Sequence, residues 1–148
     1  MTTALEEKDA IREVLAEYCF RLDGGDYDGM AALFTSDGTW DTAFGAATGR
    51  AAIAAQARDL RANRTQVGAG ANRPRAVHLV TNIVIALGGE SGGERAEVRS
   101  NWTVVQNSPE SSAGGPKIGS GGAYADQMVK QGGQWLFHYR KIDRFIAG

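Results

Sequence analysis

The sequence has 148 residues, of which 43% are hydrophobic and 22% are charged, and its formal net charge is −1. The length and composition are typical of one globular domain over 1–148. The net charge lacks the positive excess expected of a protein that binds nucleic acid or an anionic membrane. Cys19 is the sole cysteine, which excludes an internal disulfide and a cysteine-rich zinc site. We see no apolar signal-peptide region and no membrane-spanning stretch, and we therefore expect a cytoplasmic protein.

The first half of the chain predicts three helices and a short strand. Thr2 and Thr3 cap a first helix that ends at Gly24-Gly25, and Asp26 caps a second over 27–34. Turn residues over 35–38 close that second helix. A strand follows over 39–44 with a return toward 48–49, then an alanine-rich helix over 51–62 and a loop over 63–75. The apolar stripe of the first helix comprises Leu5, Ile11, Val14, Leu15, Tyr18 and Leu22.

The second half predicts antiparallel β structure. Its four strands cover 78–87, 94–106, 123–130 and 135–145, with glycine-rich turns over 88–93 and 132–133 and a longer loop over 107–122. Helices followed by such a meander indicate an α+β fold with the helices on one face of a curved sheet.

Both faces of the first long strand are largely apolar. Strict alternation directs Leu79, Thr81, Ile83, Ile85 and Leu87 to one face, and it directs His78, Val80, Asn82, Val84 and Ala86 to the other. A sheet with a solvated outer face would alternate more cleanly. We therefore expect one face to meet the helices or a cavity and the other to meet a second subunit.

Asp23 and His78 are the first candidates for chemistry. A neutral imidazole removes protons near pH 7 when a carboxylate holds its other nitrogen. Asp23 stands at a helix C-terminus, where the dipole disfavours an acid by roughly 0.3–1 kcal/mol, so another group should hold it. The alternatives are a turn aspartate bonded to nearby amides and a structural histidine.

Other polar residues are less distinctive. Tyr18 belongs to the apolar stripe and can be a core tyrosine. Arg140 lies in an aromatic-rich strand, where it is either a cavity residue that meets an anion or carbonyl, or a rim charge, and His138 shares its parity. No spacing indicates a metal, and no glycine-rich phosphate loop follows a strand, so we expect neither metal nor cofactor.

Taken together, these motifs resemble the SnoaL-like branch of the nuclear-transport-factor-two-like superfamily over nearly the whole chain. The matching motifs are Tyr18-x4-Asp23-x2-Asp26-x7-Phe34-x2-Asp37-x2-Trp40, His78-Leu-Val-Thr-Asn82, Tyr124-x-Asp126 and Trp135-x4-Arg140. The resemblance implies a cone-shaped curved antiparallel sheet wrapped by three helices around a deep apolar pocket. Members of this branch include scytalone dehydratase, hexachlorocyclohexane dehydrochlorinase, bile acid 7α-dehydratase and polyketide cyclases.

The resemblance also implies a site. His78 would be a base oriented by Asp23, with Tyr18 and Arg140 as hydrogen-bond donors, acting without a cofactor on a small apolar cyclic substrate in a homotrimer or homodimer. The apolar residues expected to bind substrate, each of which can equally be plain core, are Phe20, Leu33, Phe34, Trp40, Trp102 and Met128. Asn82 and His138 are added because they share the strand faces of His78 and Arg140.

One segment is also similar to the β subunit of aromatic-ring-hydroxylating dioxygenases. That similarity implies a non-catalytic partner of a larger iron-containing chain, with a filled interior. A small-molecule carrier that uses the same pocket is a third interpretation. Between these interpretations we favour a lyase or isomerase of the dehydratase type.

Overall fold

The computed structural model describes residues 1–65, 76–89, 94–106 and 115–147. Three helices, α1 (Ala4–Gly24), α2 (Tyr27–Ala31) and α3 (Arg50–Thr65), pack on one curved sheet. The strands are β1 (Phe34–Thr42), β2 (Gly45–Thr48), β3 (Ala76–Gly88), β4 (Arg95–Gln106), β5 (Lys117–Gln131) and β6 (Gln134–Ala147). No helix in the described ranges has the length and apolarity to cross a membrane.

The first helix begins and ends at the predicted signals. Thr3 forms a capping box with Glu6, and Gly25 ends the helix in a left-handed conformation with φ of +78°. Leu5 was wrongly placed in the buried stripe, because it is 74% exposed. Glu7 takes the inward position of the first turn instead.

Glu7 links the start of α1 to the sheet. Its carboxylate accepts hydrogen bonds from Lys130 Nζ and Trp135 Nε1, both at 2.6 Å. These bonds, that of Lys130 above all, lower the pKa of Glu7 to about 2. A charged group thereby occupies a helix position that an apolar stripe would otherwise fill.

The sheet has the strand order β2-β1-β6-β5-β4-β3. The predicted fold class is confirmed, but β1 pairs with β6 in parallel, which makes the sheet mixed. The turn predicted over 35–38 is wrong, because these residues lie within β1. Between Phe34 and Thr39 the register with β6 shifts, so the extra polar residues are accommodated as an irregularity in the strand.

Further element boundaries differ from the prediction, among them the end of α2, which is at Ala31 rather than at 34. Helix α3 continues to Thr65, and strand β5 begins at Lys117 within the predicted loop. The glycines that suggested a loop permit close approach of backbones: a Cβ on Gly122 would collide with the Asp143 carbonyl oxygen. The remaining predicted loop segments, over 66–75, 90–93 and 107–114, lie outside the described residues.

Strand β3 does not alternate strictly. Asn82 has a positive φ of 55°, and the pairing of β3 with β4 shifts register between Thr81 and Val84. The burial pattern changes at this bulge, with His78 part-buried before it and Ile85 buried after it. The predicted division of the strand into two fixed faces is therefore wrong beyond Thr81.

Candidate functional site

A cavity lies between the helices and the sheet. The volume of this cavity is about 120 Å³. The lining includes aromatic, aliphatic and charged side chains from α1, α2, α3 and several strands. These residues are Tyr18, Leu22, Asp23, Tyr27, Trp40, Thr42, Ala43, Phe44, Ala57, Leu60, Arg61, Ala76, His78, Trp102, Tyr124, Ile142 and Arg144.

Asp23 and His78 meet in the wall of this cavity. Asp23 Oδ1 lies 2.5 Å from His78 Nδ1, and Asp23 Oδ2 accepts the backbone N–H of His78 at 2.8 Å. Their side chains are 18% and 14% exposed. The two hydrogen bonds fix the histidine relative to the end of α1 and offset the unfavourable dipole position of the acid.

The contact with Asp23 selects one tautomer of the neutral imidazole of His78. An ionised carboxylate only accepts hydrogen bonds, so neutral His78 carries its proton on Nδ1 when bound to Asp23. The other ring nitrogen, Nε2, is then an unprotonated acceptor. Such a nitrogen in a cavity wall can remove a proton from a bound molecule.

Tyr18 and Trp40 form a second polar pair in the wall. Trp40 Nε1–H donates to the Tyr18 hydroxyl oxygen at 2.9 Å. Trp40 thereby occupies an acceptor position of the hydroxyl and leaves its proton available for donation. Burial raises the pKa of Tyr18, so this group is a neutral hydrogen-bond donor.

Arg140 lies behind this pair and does not line the cavity. It is fully buried, and its Cζ is 3.6 Å from the ring centroid of Tyr124 and 4.1 Å from that of Tyr18. Its Nε lies 3.3 Å from Asp126 Oδ1. The rings of Tyr18 and Tyr124, which the guanidinium contacts, line the cavity, whereas Arg140 itself does not.

The residues expected to bind substrate divide into two groups. Trp40 and Trp102 line the cavity. Phe20 and His138 are exposed, whereas the buried Leu33, Phe34 and Met128 belong to the core or its edge and do not line the cavity. Asn82 lies in the bulge of β3, is exposed, and donates to Asn101 Oδ1 at 3.0 Å.

Sequence reasoning missed several cavity residues. Arg144 and Ile142 follow Arg140 at two-residue spacing in β6, and this alternation could have found them. Arg61 gives no such signal, since a helix surface rich in charge usually faces solvent. Within the described parts of the chain, no three His, Cys, Asp or Glu side chains are grouped to hold a metal ion.

A family model described as a SnoaL-like domain matches residues 3–141. A search of curated proteins finds no significant match. Among solved structures, the chain is similar to Rv3472, a protein of unknown function from Mycobacterium tuberculosis. Identity is 27% over 97% of this chain and 76% of that one, with a TM-score of 0.76.

Two further structures are similar at comparable levels. A protein of unknown function with a cystatin-like fold from Nostoc punctiforme has 26% identity and a TM-score of 0.74, over 97% of this chain and 93% of that one. A candidate scytalone dehydratase from Novosphingobium aromaticivorans has 26% identity and a TM-score of 0.72, over 96% of this chain and 86% of that one.

Proposed function

Because the chain belongs to the SnoaL-like family, whose members are often cofactor-independent isomerases, dehydratases or cyclases, we propose that it is a lyase or isomerase. Its substrate is a small, mostly apolar cyclic molecule. The observation that carries this proposal is the 2.5 Å contact of His78 Nδ1 with Asp23 Oδ1 in a cavity wall. The aromatic and aliphatic lining supports an apolar substrate.

The reaction begins with proton removal. His78 Nε2 takes a proton from a carbon that is next to a carbonyl group or that lies β to a leaving group. Asp23 stabilises the imidazolium that forms, and this general-base assistance contributes roughly 10²–10⁴ in rate. No cofactor is needed, because side chains carry the proton throughout.

Tyr18 stabilises the negative charge that develops on the substrate when the proton is removed. Its hydroxyl donates a hydrogen bond to the developing oxyanion or to the departing group, while Trp40 holds its oxygen. In an isomerisation the imidazolium returns the proton to another carbon, and in an elimination the leaving group departs. Arg140 acts on Tyr18 through the ring that it contacts rather than on the substrate.

The proposal can be tested before the natural substrate is known. In D₂O, the protein should accelerate exchange of the α-protons of 2-tetralone, followed by proton NMR and corrected for exchange in matched buffer. No acceleration with either 2-tetralone or 2-indanone would contradict the base assignment.

The same assay separates the alternative functions. A carrier would bind 2-tetralone without accelerating exchange. A dioxygenase β-like subunit would do neither and would copurify with a larger iron-containing chain. The cavity between the helices and the sheet argues against the filled interior that the subunit interpretation predicts.

We also propose a homodimer or homotrimer formed through the outer face of the sheet. Three apolar residues of β3, Val77, Leu79 and Val84, are 46–51% exposed on this side. Burial of such a surface against a second copy removes it from water. Sedimentation velocity should therefore show an oligomer at micromolar concentration, and a monomer would contradict this part of the proposal.

A further inference from the structure

Positive charge exceeds negative charge in the cavity wall. Among the described lining residues, Arg61 and Arg144 are cationic and Asp23 is anionic. The carboxylate of Asp23 already accepts two hydrogen bonds from His78. Of the charged groups in the described lining, the two guanidinium groups are therefore the ones that a bound molecule can pair with.

Arg144 is placed to meet a ligand at the edge of the aromatic wall. Its Cζ lies 5.8 Å from the ring centroid of Phe44, a residue that lines the cavity and is 58% exposed. The neighbouring Asp143 carbonyl accepts Trp102 Nε1–H at 3.1 Å, and the Trp102 ring centroid is 6.3 Å from that of His78. Continuous contacts thus run from the imidazole to the backbone beside Arg144.

One donor of Arg144 lacks an acceptor among the residues that the structure describes. Its Nε is buried and forms no hydrogen bond with any described residue. An arginine binds a carboxylate through two parallel N–H groups in a planar fork, and such charge-assisted pairs are stronger than neutral hydrogen bonds. Arg144 lines the cavity, so a carboxylate that enters it can pair with this guanidinium group.

We propose that the substrate carries a carboxylate on its apolar ring system and that Arg144, together with Arg61, binds this group. The inference rests on the proposed function in taking the cavity as the substrate site. The carboxylate holds the ring against the aromatic wall, so that a carbon of the ring reaches His78. The carboxylate therefore increases the fraction of bound ligand in the productive orientation, while a neutral ring can still reach His78.

Arg58 provides a matched control for Arg144. Its Cζ also lies 5.8 Å from an aromatic centroid, that of Tyr27. Unlike Arg144, it pairs with Asp28, at 3.6 Å, and it does not line the cavity. Substitution of either arginine by glutamine removes one positive charge from the same protein.

Isothermal titration calorimetry with 2-naphthoate and its neutral methyl ester tests the proposal. The wild-type protein should bind the carboxylate about tenfold or more tightly than the ester at low salt, with a preference that weakens as salt rises. Arg144→Gln and Arg61→Gln should each reduce this preference and leave the affinity for the ester unchanged. Arg58→Gln should leave both affinities unchanged.

Three results would overturn the inference: equal affinity for acid and ester, an equal effect of Arg58→Gln, or no binding of either probe at millimolar concentration. His78→Ala separates this inference from the proposed reaction, because it should keep the preference for 2-naphthoate while it loses exchange of 2-tetralone. Retained exchange with an intact preference would refute the base and leave the carboxylate site standing. A preference lost in His78→Ala would assign the anion to the imidazole instead.

Discussion

Replacement of His78 with alanine is expected to lower the enzyme-dependent exchange rate of 2-tetralone by roughly 10²–10⁴. The variant removes the base but leaves the cavity, so ligand affinity and the thermal unfolding temperature should change much less than the rate. Proton NMR gives the rate, and calorimetry gives the affinity. Near-wild-type exchange by a folded His78→Ala protein would eliminate the proposed role.

Asp23→Asn should also lose most of the rate. The carboxylate accepts both the ring N–H and the backbone N–H of His78, whereas an amide has one acceptor oxygen and directs N–H groups at the other position. The imidazole then loses the partner that fixes its tautomer and stabilises its charged form.

The chain contains a control for both substitutions. His138 Nδ1 and Asp37 Oδ1 form a second histidine–carboxylate pair, but the atoms are 3.9 Å apart and the side chains are 46% and 77% exposed. His138→Ala and Asp37→Asn should leave the exchange rate unchanged. An equal loss in these variants would show that the effect does not belong to the cavity pair.

Arg140→Met should lower the free energy of unfolding by about 3–5 kcal/mol at pH 7.5, the range for breaking a buried ion pair from one side. Asp126 would keep a buried carboxylate without its partner, and the aromatic rings would lose the cation that they contact. Urea denaturation followed by tryptophan fluorescence measures the change.

The destabilisation should shrink as the pH falls toward 5. Burial raises the pKa of Asp126 to about 6 from an ordinary value of 3.8, and Arg140 opposes this shift. Without Arg140 the pKa rises further, so the folded variant binds a proton that the unfolded chain does not bind in this range. Because the folded state binds more protons, its stability increases with acidification.

A double substitution, Arg140→Met with Asp126→Leu, should recover most of the lost stability, because it removes both charges from the interior. Two outcomes would contradict the assignment of the pair. One is a single variant as stable as the wild-type protein, and the other is a double variant that is less stable than Arg140→Met alone.

Much of the fold could be predicted because local chemistry marks it. Thr3 and Gly25 cap the first helix, paired glycines mark the last hairpin, and the resemblance to the SnoaL-like family and the α+β class are confirmed. Asp23 could be selected because the end of a helix disfavours an acid, and His78 because a neutral imidazole is suited to remove a proton near pH 7. Their separation by 55 positions meant that only the folded chain could bring them together.

The failures share a physical origin in long-range pairing. Polar residues over 35–38 signal a turn locally, yet parallel pairing with β6 keeps them within a strand. Arg140 and Arg144 share parity in β6, but aromatic packing covers the first and the cavity reaches the second. Sequence spacing alone does not distinguish a covered arginine from an open one.

The bulge at Asn82 divides β3 into two halves. Within each half buried or part-buried residues alternate with exposed ones, but the alternation after the bulge does not continue the alternation before it. The segment before it sets the position of the imidazole, and the segment after it sets the hydrophobic packing around Ile85. A substitution that changes the side-chain volume around Ile85 need not change the orientation of His78. The shape of the interior around Ile85 and the position of His78 can therefore be altered separately by substitution.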